Sequence, residues 1–118
     1  MKSIEELYIH AVLTGLEKVL TQYLALPYSV GETLLQQPSV HTDNVSVLVG
    51  MTGEVRGEII LSMNYDVLKG IVSIMFGYQV ETIDDMGWSA FSEFGNWVGA
   101  SCCSAFNDLQ MATNITPP

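Results

Sequence analysis

Three polar residues in the segment WSAFSEFGNW, residues 88–97, have types and spacing that could do chemistry. Ser89, Glu93 and Asn96 stand at i, i+4 and i+7, so on an α-helix they fall within an arc of roughly 60°. Glu93 and Asn96 are then neighbours one turn apart. A carboxylate can fix a cation, and a carboxamide both donates and accepts hydrogen bonds without changing its protonation state. Such a pair is equipped to hold and orient another group. The predicted helix carries no lysine or arginine, so Glu93 has no cation of its own helix to pair with. Ser89 has no histidine or other base near it in sequence and reads as a small surface residue rather than a nucleophile. A Glu-x-x-Asn pair is also what an ordinary solvated helix face carries. Here Ala100 and Asn107 continue the stripe, giving a small, flat surface that another protein could approach closely.

Other chemistry finds little support. His10 and His41 are isolated, and no Cys, His or carboxylate cluster has metal-ligand spacing. Cys102 and Cys103 are adjacent and would point about 100° apart on a helix, too far for a disulfide without distortion. They read as small buried filler in a reducing compartment. Trp88 and Trp97 flank the polar pair. Core anchoring is the favoured reading for both, and a rim for a partner is the alternative. Ser89, Trp97 and Ala100 are the candidate partner-contact residues around Glu93 and Asn96.

The elements that must position this pair follow from pattern. Residues 3–25 carry an apolar stripe at helical spacing, with Ser3 as N-cap and Pro27 just past the end. Residues 28–44 are turn-rich and read as a connection with at most one short extended piece. Two β-branched runs within residues 45–63 flank a tip containing Gly53 and Gly57, the signature of a hairpin with a loop longer than two residues. Asn64 or Asp66 opens a second helix that Gly77 closes. Asp84 and Asp85 cap a third helix running to about Asn107, whose core face is Phe91, Phe94, Val98 and Ala105. The tail MATNITPP reads as extended, because its prolines forbid a helix.

Composition bounds the rest. The 118 residues suit a single domain, 1–118, and 48% apolar against 14% charged residues exclude intrinsic disorder. Four Lys and Arg against 13 Asp and Glu give a formal charge of −9, which disfavours nucleic acid and anionic membrane and favours a basic patch on another protein. The N-terminus lacks the apolar run of a signal peptide, and no stretch approaches a membrane span, so a cytoplasmic protein is expected.

The run VSVLVGMTGEVRGEIILSM, the Ser89-x-x-x-Glu93-x-x-Asn96 pattern and the closing NITPP together resemble the CheC/CheX/FliY family of chemotaxis phosphatases, its CheX-like members most. The resemblance covers residues 45–118 well and residues 1–44 loosely. It implies a CheC-like α+β fold, an antiparallel sheet covered by long helices. It also implies that the C-terminal strands are missing, since CheX-like proteins continue for several strands beyond the segment that NITPP resembles. The implied activity is hydrolysis of the aspartyl phosphate of a CheY-type response regulator. The family's glutamate and asparagine map onto Glu93 and Asn96. By that mapping Asn96 holds the attacking water in line with the leaving carboxylate, and Glu93 engages the lysine that receivers keep beside the phosphoryl site. The Mg2+ belongs to the receiver, and the chain needs no cofactor of its own. The implied partners are the phosphorylated receiver and a second copy in a homodimer. Two alternatives stand beside this one: a non-catalytic module on the same fold that docks a receiver or a flagellar-switch component, and an oligomeric structural protein. Residues 45–63 supply only two confident strands, and a lone hairpin is marginal. The chain is therefore expected to pair edge to edge or to exchange its MATNITPP segment between subunits.

Overall fold

Ser3 opens the first helix, its Oγ accepting from the amide of Glu6 at 3.2 Å, with Glu5 and Glu6 beside the positive end of the dipole. The computed structural model describes residues 3–34 and 42–116. Helix α1 spans Ile4–Lys18 and continues as a π-helical segment, Val19–Tyr23. The single helix expected over 3–25 is thus widened in its last turn, where the amides of Leu24 and Leu26 reach back to the carbonyls of Val19 and Leu20. The positive φ of Ala25, 51°, then ends it two residues before Pro27. Residues 24–34 are irregular, as expected for a connection from residue 28 onward. The rest of that expectation, over residues 35–41 and including His41, lies outside the described residues.

Strands β1, Val45–Gly53, and β2, Gly57–Met63, form the expected hairpin, with Val45 opposite Met63 and Met51 opposite Gly57. Val47, Val49 and Met51 alternate into the core while Ser46 and Leu48 face out. Helix α2, Tyr65–Phe76, starts at Asn64, whose Oδ1 accepts from the amide of Val67, and stops at Gly77 in the left-handed conformation. Helix α3, Asp85–Asp108, starts at Asp84, whose Oδ1 accepts from the amide of Gly87. The α2–α3 link is fixed by the Tyr65 hydroxyl, which accepts from the amide of Ile83 at 2.9 Å.

Strand β3, Thr113–Thr116, is paired within its own chain, where an exchange of the MATNITPP segment between subunits was one of the two expectations. It lies antiparallel to β1 of its own chain, Gly50 opposite Thr116 and Gly53 opposite Thr113, giving a three-stranded sheet in the order β2-β1-β3. Two devices hold it there. The amide of Glu54 donates to the Ala112 carbonyl at 2.9 Å. Asn107 is exposed and continues the outward stripe of α3 as expected, and it also clasps Thr113 through both backbone groups: its Oδ1 accepts from the amide at 2.9 Å and its Nδ2 donates to the carbonyl at 3.3 Å. Gly53, at φ 115°, lies so close to the Ala112 carbonyl that a Cβ there would collide with it.

Helix α3 packs on α1 and on the inner face of β1 and β3. Phe91, Phe94, Val98, Cys102, Ala105 and Phe106 are all buried. The approach is close because small residues line both contacts. A Cβ on Gly99 would stand 2.5 Å from Val49, and one on Gly15 would stand 2.5 Å from the backbone of Cys102.

Candidate functional site

With its phenylalanines and glycines turned inward, α3 presents the expected polar residues on the other side. Ser89, Glu93 and Ala100 are exposed, and Asn96 and Trp97 are half-buried. The stripe read from spacing is therefore one surface, with a difference at its centre. Asn96 is partly sunk, and its Oδ1 is shielded from solvent and has no hydrogen-bond partner among the described residues. Buried polar atoms are almost always paired. An orphaned acceptor one turn from an exposed carboxylate marks this spot on the helix.

Glu93 is held from its own helix. The indole Nε1–H of Trp97 donates to Glu93 Oε1 at 3.0 Å across one turn. On its other flank the Trp97 ring meets the ring of Tyr23 edge-on, centroids 5.6 Å apart at 88°. Tyr23 closes the π-helical segment, so the end of α1 also reaches this surface. Neither contact was foreseen, although the i, i+4 spacing of Glu93 and Trp97 was the signal for the first. The favoured core role of Trp88 is corrected. Trp88 is 42% exposed and only leans on Phe91, with ring centroids 6.3 Å apart.

A cavity of about 440 Å³ runs along α1, bordered by His10, Glu17 and Tyr28, and shares no residue with the pair. Both cysteines are free and buried, and burial together with the neighbouring Cys103 pushes the Cys102 thiol up to about 12. Cys102 Sγ lies 3.5 Å from the Val12 carbonyl, where it packs α3 on α1. Among the described residues no group of three or more His, Cys, Asp or Glu is placed to hold a metal ion. None of the described helices is long and apolar enough to cross a membrane.

Fold and site together define a class: an α+β domain whose longest helix lies close on an antiparallel sheet and displays a glutamate and an asparagine one turn apart. The model of the chemotaxis phosphatase CheX family matches residues 45–118, more than half of the chain, and the chain belongs to that family. The CheY-P phosphatase CheX of Thermotoga maritima is 29% identical over 72 residues, 60% of this chain and 46% of that protein. The chain thus spans about half the length of that relative. The CheX-CheY-BeF3-Mg2+ complex of Borrelia burgdorferi is similar at 26% identity and a TM-score of 0.75, covering 93% of this chain and 73% of that one. A CheC-like superfamily protein from Shewanella sp. PV-4 shares the fold at a TM-score of 0.83 and 20% identity, covering 98% of this chain and 75% of that one. The sheet and helices expected from the sequence are those of these relatives.

Proposed function

We propose that this chain hydrolyses the aspartyl phosphate of a CheY-type receiver, using the open face of α3. An aspartyl phosphate is an acyl phosphate whose hydrolysis requires a water held in line with the leaving carboxylate, so orientation and charge placement are most of what a protein can add. Asn96 supplies the orientation. Its carboxamide accepts from the water and donates to a phosphoryl oxygen with no change in protonation. The observation that carries this role is the unpartnered Oδ1. The carbonyl has no hydrogen bond to give up when the side chain swings toward a docked phosphoryl group. Glu93, exposed on a helix without cations, engages the receiver lysine beside the phosphoryl site and sets the register of docking. Ser89, Ala100 and Trp97 surround the pair as contact surface, and the small side chains at positions 89 and 100 let the receiver approach closely.

The magnesium ion sits in the receiver, and the chain contributes no cofactor. Support comes from the family, from the phosphatase relative and from the Borrelia complex, which joins a CheX to a CheY with BeF3 and Mg2+. Trifluoroberyllate stands in for a phosphoryl group there. The reading places the reaction in the cytoplasm. It includes a second copy, the homodimer that the resemblance to CheX-like proteins implies. Sedimentation equilibrium at micromolar concentration is expected to show a dimer, and a single monomeric species would remove that part.

The test of function is phosphate release from a receiver fed with acetyl phosphate and Mg2+. The rate is expected to rise in proportion to added chain. An unchanged rate with binding intact would leave a non-catalytic docking module in its place.

A further inference from the structure

Glu93 is long, flexible and exposed, yet it is asked to meet one lysine in one geometry. A free glutamate side chain carries on the order of 1.5–2 kcal/mol of rotamer entropy, most of it lost on fixing. In this chain part of that loss is met before any partner arrives. Trp97 Nε1–H holds Glu93 Oε1 at 3.0 Å, and the contact with Tyr23 holds the indole in turn. The donor is half-buried and stands one helical turn from the carboxylate it holds, so neither backbone nor neighbouring helix need move to keep the bond. The bond occupies one carboxylate oxygen and leaves the second for an incoming ammonium. Tyr23 itself is 49% exposed and belongs to the π-helical segment, a widened turn of the kind that recurs at functional sites.

We propose that Trp97 is a positioning residue: its indole N–H, braced by Tyr23, sets the Glu93 carboxylate in the orientation that receives the partner's lysine. This inference rests on the phosphatase reading and adds a role that a contact surface alone does not give. A tryptophan that merely touched the receiver would contribute through its ring face, independently of Glu93. A positioning tryptophan contributes only through Glu93, and it does so in the free protein.

Two measurements separate these. The chain has two tryptophans, so its 15N-resolved spectrum holds two indole N–H signals, which Trp88→Phe assigns. Glu93→Ala is expected to move the Trp97 indole proton upfield in the free protein while leaving Trp88 in place. The second measurement is a double-mutant cycle on binding to a trifluoroberyllate-activated receiver. Trp97→Phe keeps a ring against Tyr23 and removes the donor. It is expected to weaken binding about five-fold in the wild-type background, the equivalent of about 1 kcal/mol of restored side-chain freedom. In the Glu93→Ala background it is expected to cost nothing. An indole signal unmoved by Glu93→Ala overturns the proposal. So does a Trp97→Phe effect that is absent in the wild-type background or equally large in both. If wild-type chain binds no receiver, the phosphatase reading fails and the proposed role goes with it. The indole signal still reports on its own whether the clamp exists.

Discussion

Asn96→Ala should separate stability from activity in opposite directions. Its carbonyl oxygen is shielded from solvent without a partner among the described residues, and a desolvated, unsatisfied polar group costs about 1–3 kcal/mol. Truncation removes that cost. It also replaces a mediocre helix former by the best one in the middle of α3, a gain of about 0.5–0.7 kcal/mol. Against these stands the loss of the contacts of one half-buried side chain, on the order of 1 kcal/mol. The net expectation is a stabilisation of about 1–2 kcal/mol. An unfolding entropy of about 2.1 cal/mol/K per residue, taken over 118 residues, makes each kcal/mol worth about 4 °C. The melting temperature should therefore rise by about 4–8 °C, while acceleration of receiver dephosphorylation falls at least about 10²-fold. Thermal unfolding followed by circular dichroism, beside dephosphorylation at one fixed temperature, measures both on one preparation. A fall in melting temperature would show that the Asn96 carbonyl holds a structural partner, and would refute this account of the residue.

The helix crossing gives a pair of opposed expectations. Gly15→Ala puts a Cβ 2.5 Å from the Cys102 backbone, which cannot step aside as a side-chain tip would, so it should cost about 1–3 kcal/mol. Gly70→Ala, on the exposed side of α2 with nothing within 4 Å, should gain about 1 kcal/mol. Melting temperatures that move the same way would contradict the packing described. The cysteines give the third. With Cys102 pushed up to about 12 and Cys103 also raised by burial, the folded chain should resist alkylation by iodoacetamide at pH 8 and react on unfolding. The thiol is held neutral by the fold, so its contribution is intact below the ordinary value of 9.0 and is lost as pH climbs toward about 12. Melting temperature should fall over that interval, and less steeply in Cys102→Ser than in wild type.

What was legible in the sequence was local. Ser3, Asn64 and Asp84 declare helix starts because a short polar side chain satisfies amides two or three residues on, and Gly77 declares an end because it accepts a left-handed φ. The face carrying Ser89, Glu93 and Ala100 was legible because a 3.6-residue period fixes direction, and the sunken position of Asn96 was not. Depth is set by packing between distant segments, such as the close approach of Gly95 and Gly99 on α3 to Val47 and Val49 on β1. The in-chain pairing of β3 is of the same kind. Four residues carry too little pattern to name a partner strand some 60 positions away, and Asn107, which secures it, looks like one more exposed polar side chain until the tail is in place. Trp88 was misread for a simpler reason. Aromatic size argues for burial, but position 88 lies one turn before the α3 core residue Phe91, at the open end of the helix.

The central claim is that the open face of α3 removes a phosphoryl group from a receiver aspartate, and single-turnover decay measures it most directly. A CheY-type receiver is phosphorylated on its aspartate by radiolabelled acetyl phosphate, freed of that donor, and mixed with a saturating amount of this chain in Mg2+. The account predicts decay faster than that of the receiver alone by at least about 10²-fold, returning to the receiver's own rate when Asn96→Ala replaces wild type. Decay at the receiver's own rate in the presence of wild-type chain, with the complex formed, would contradict it.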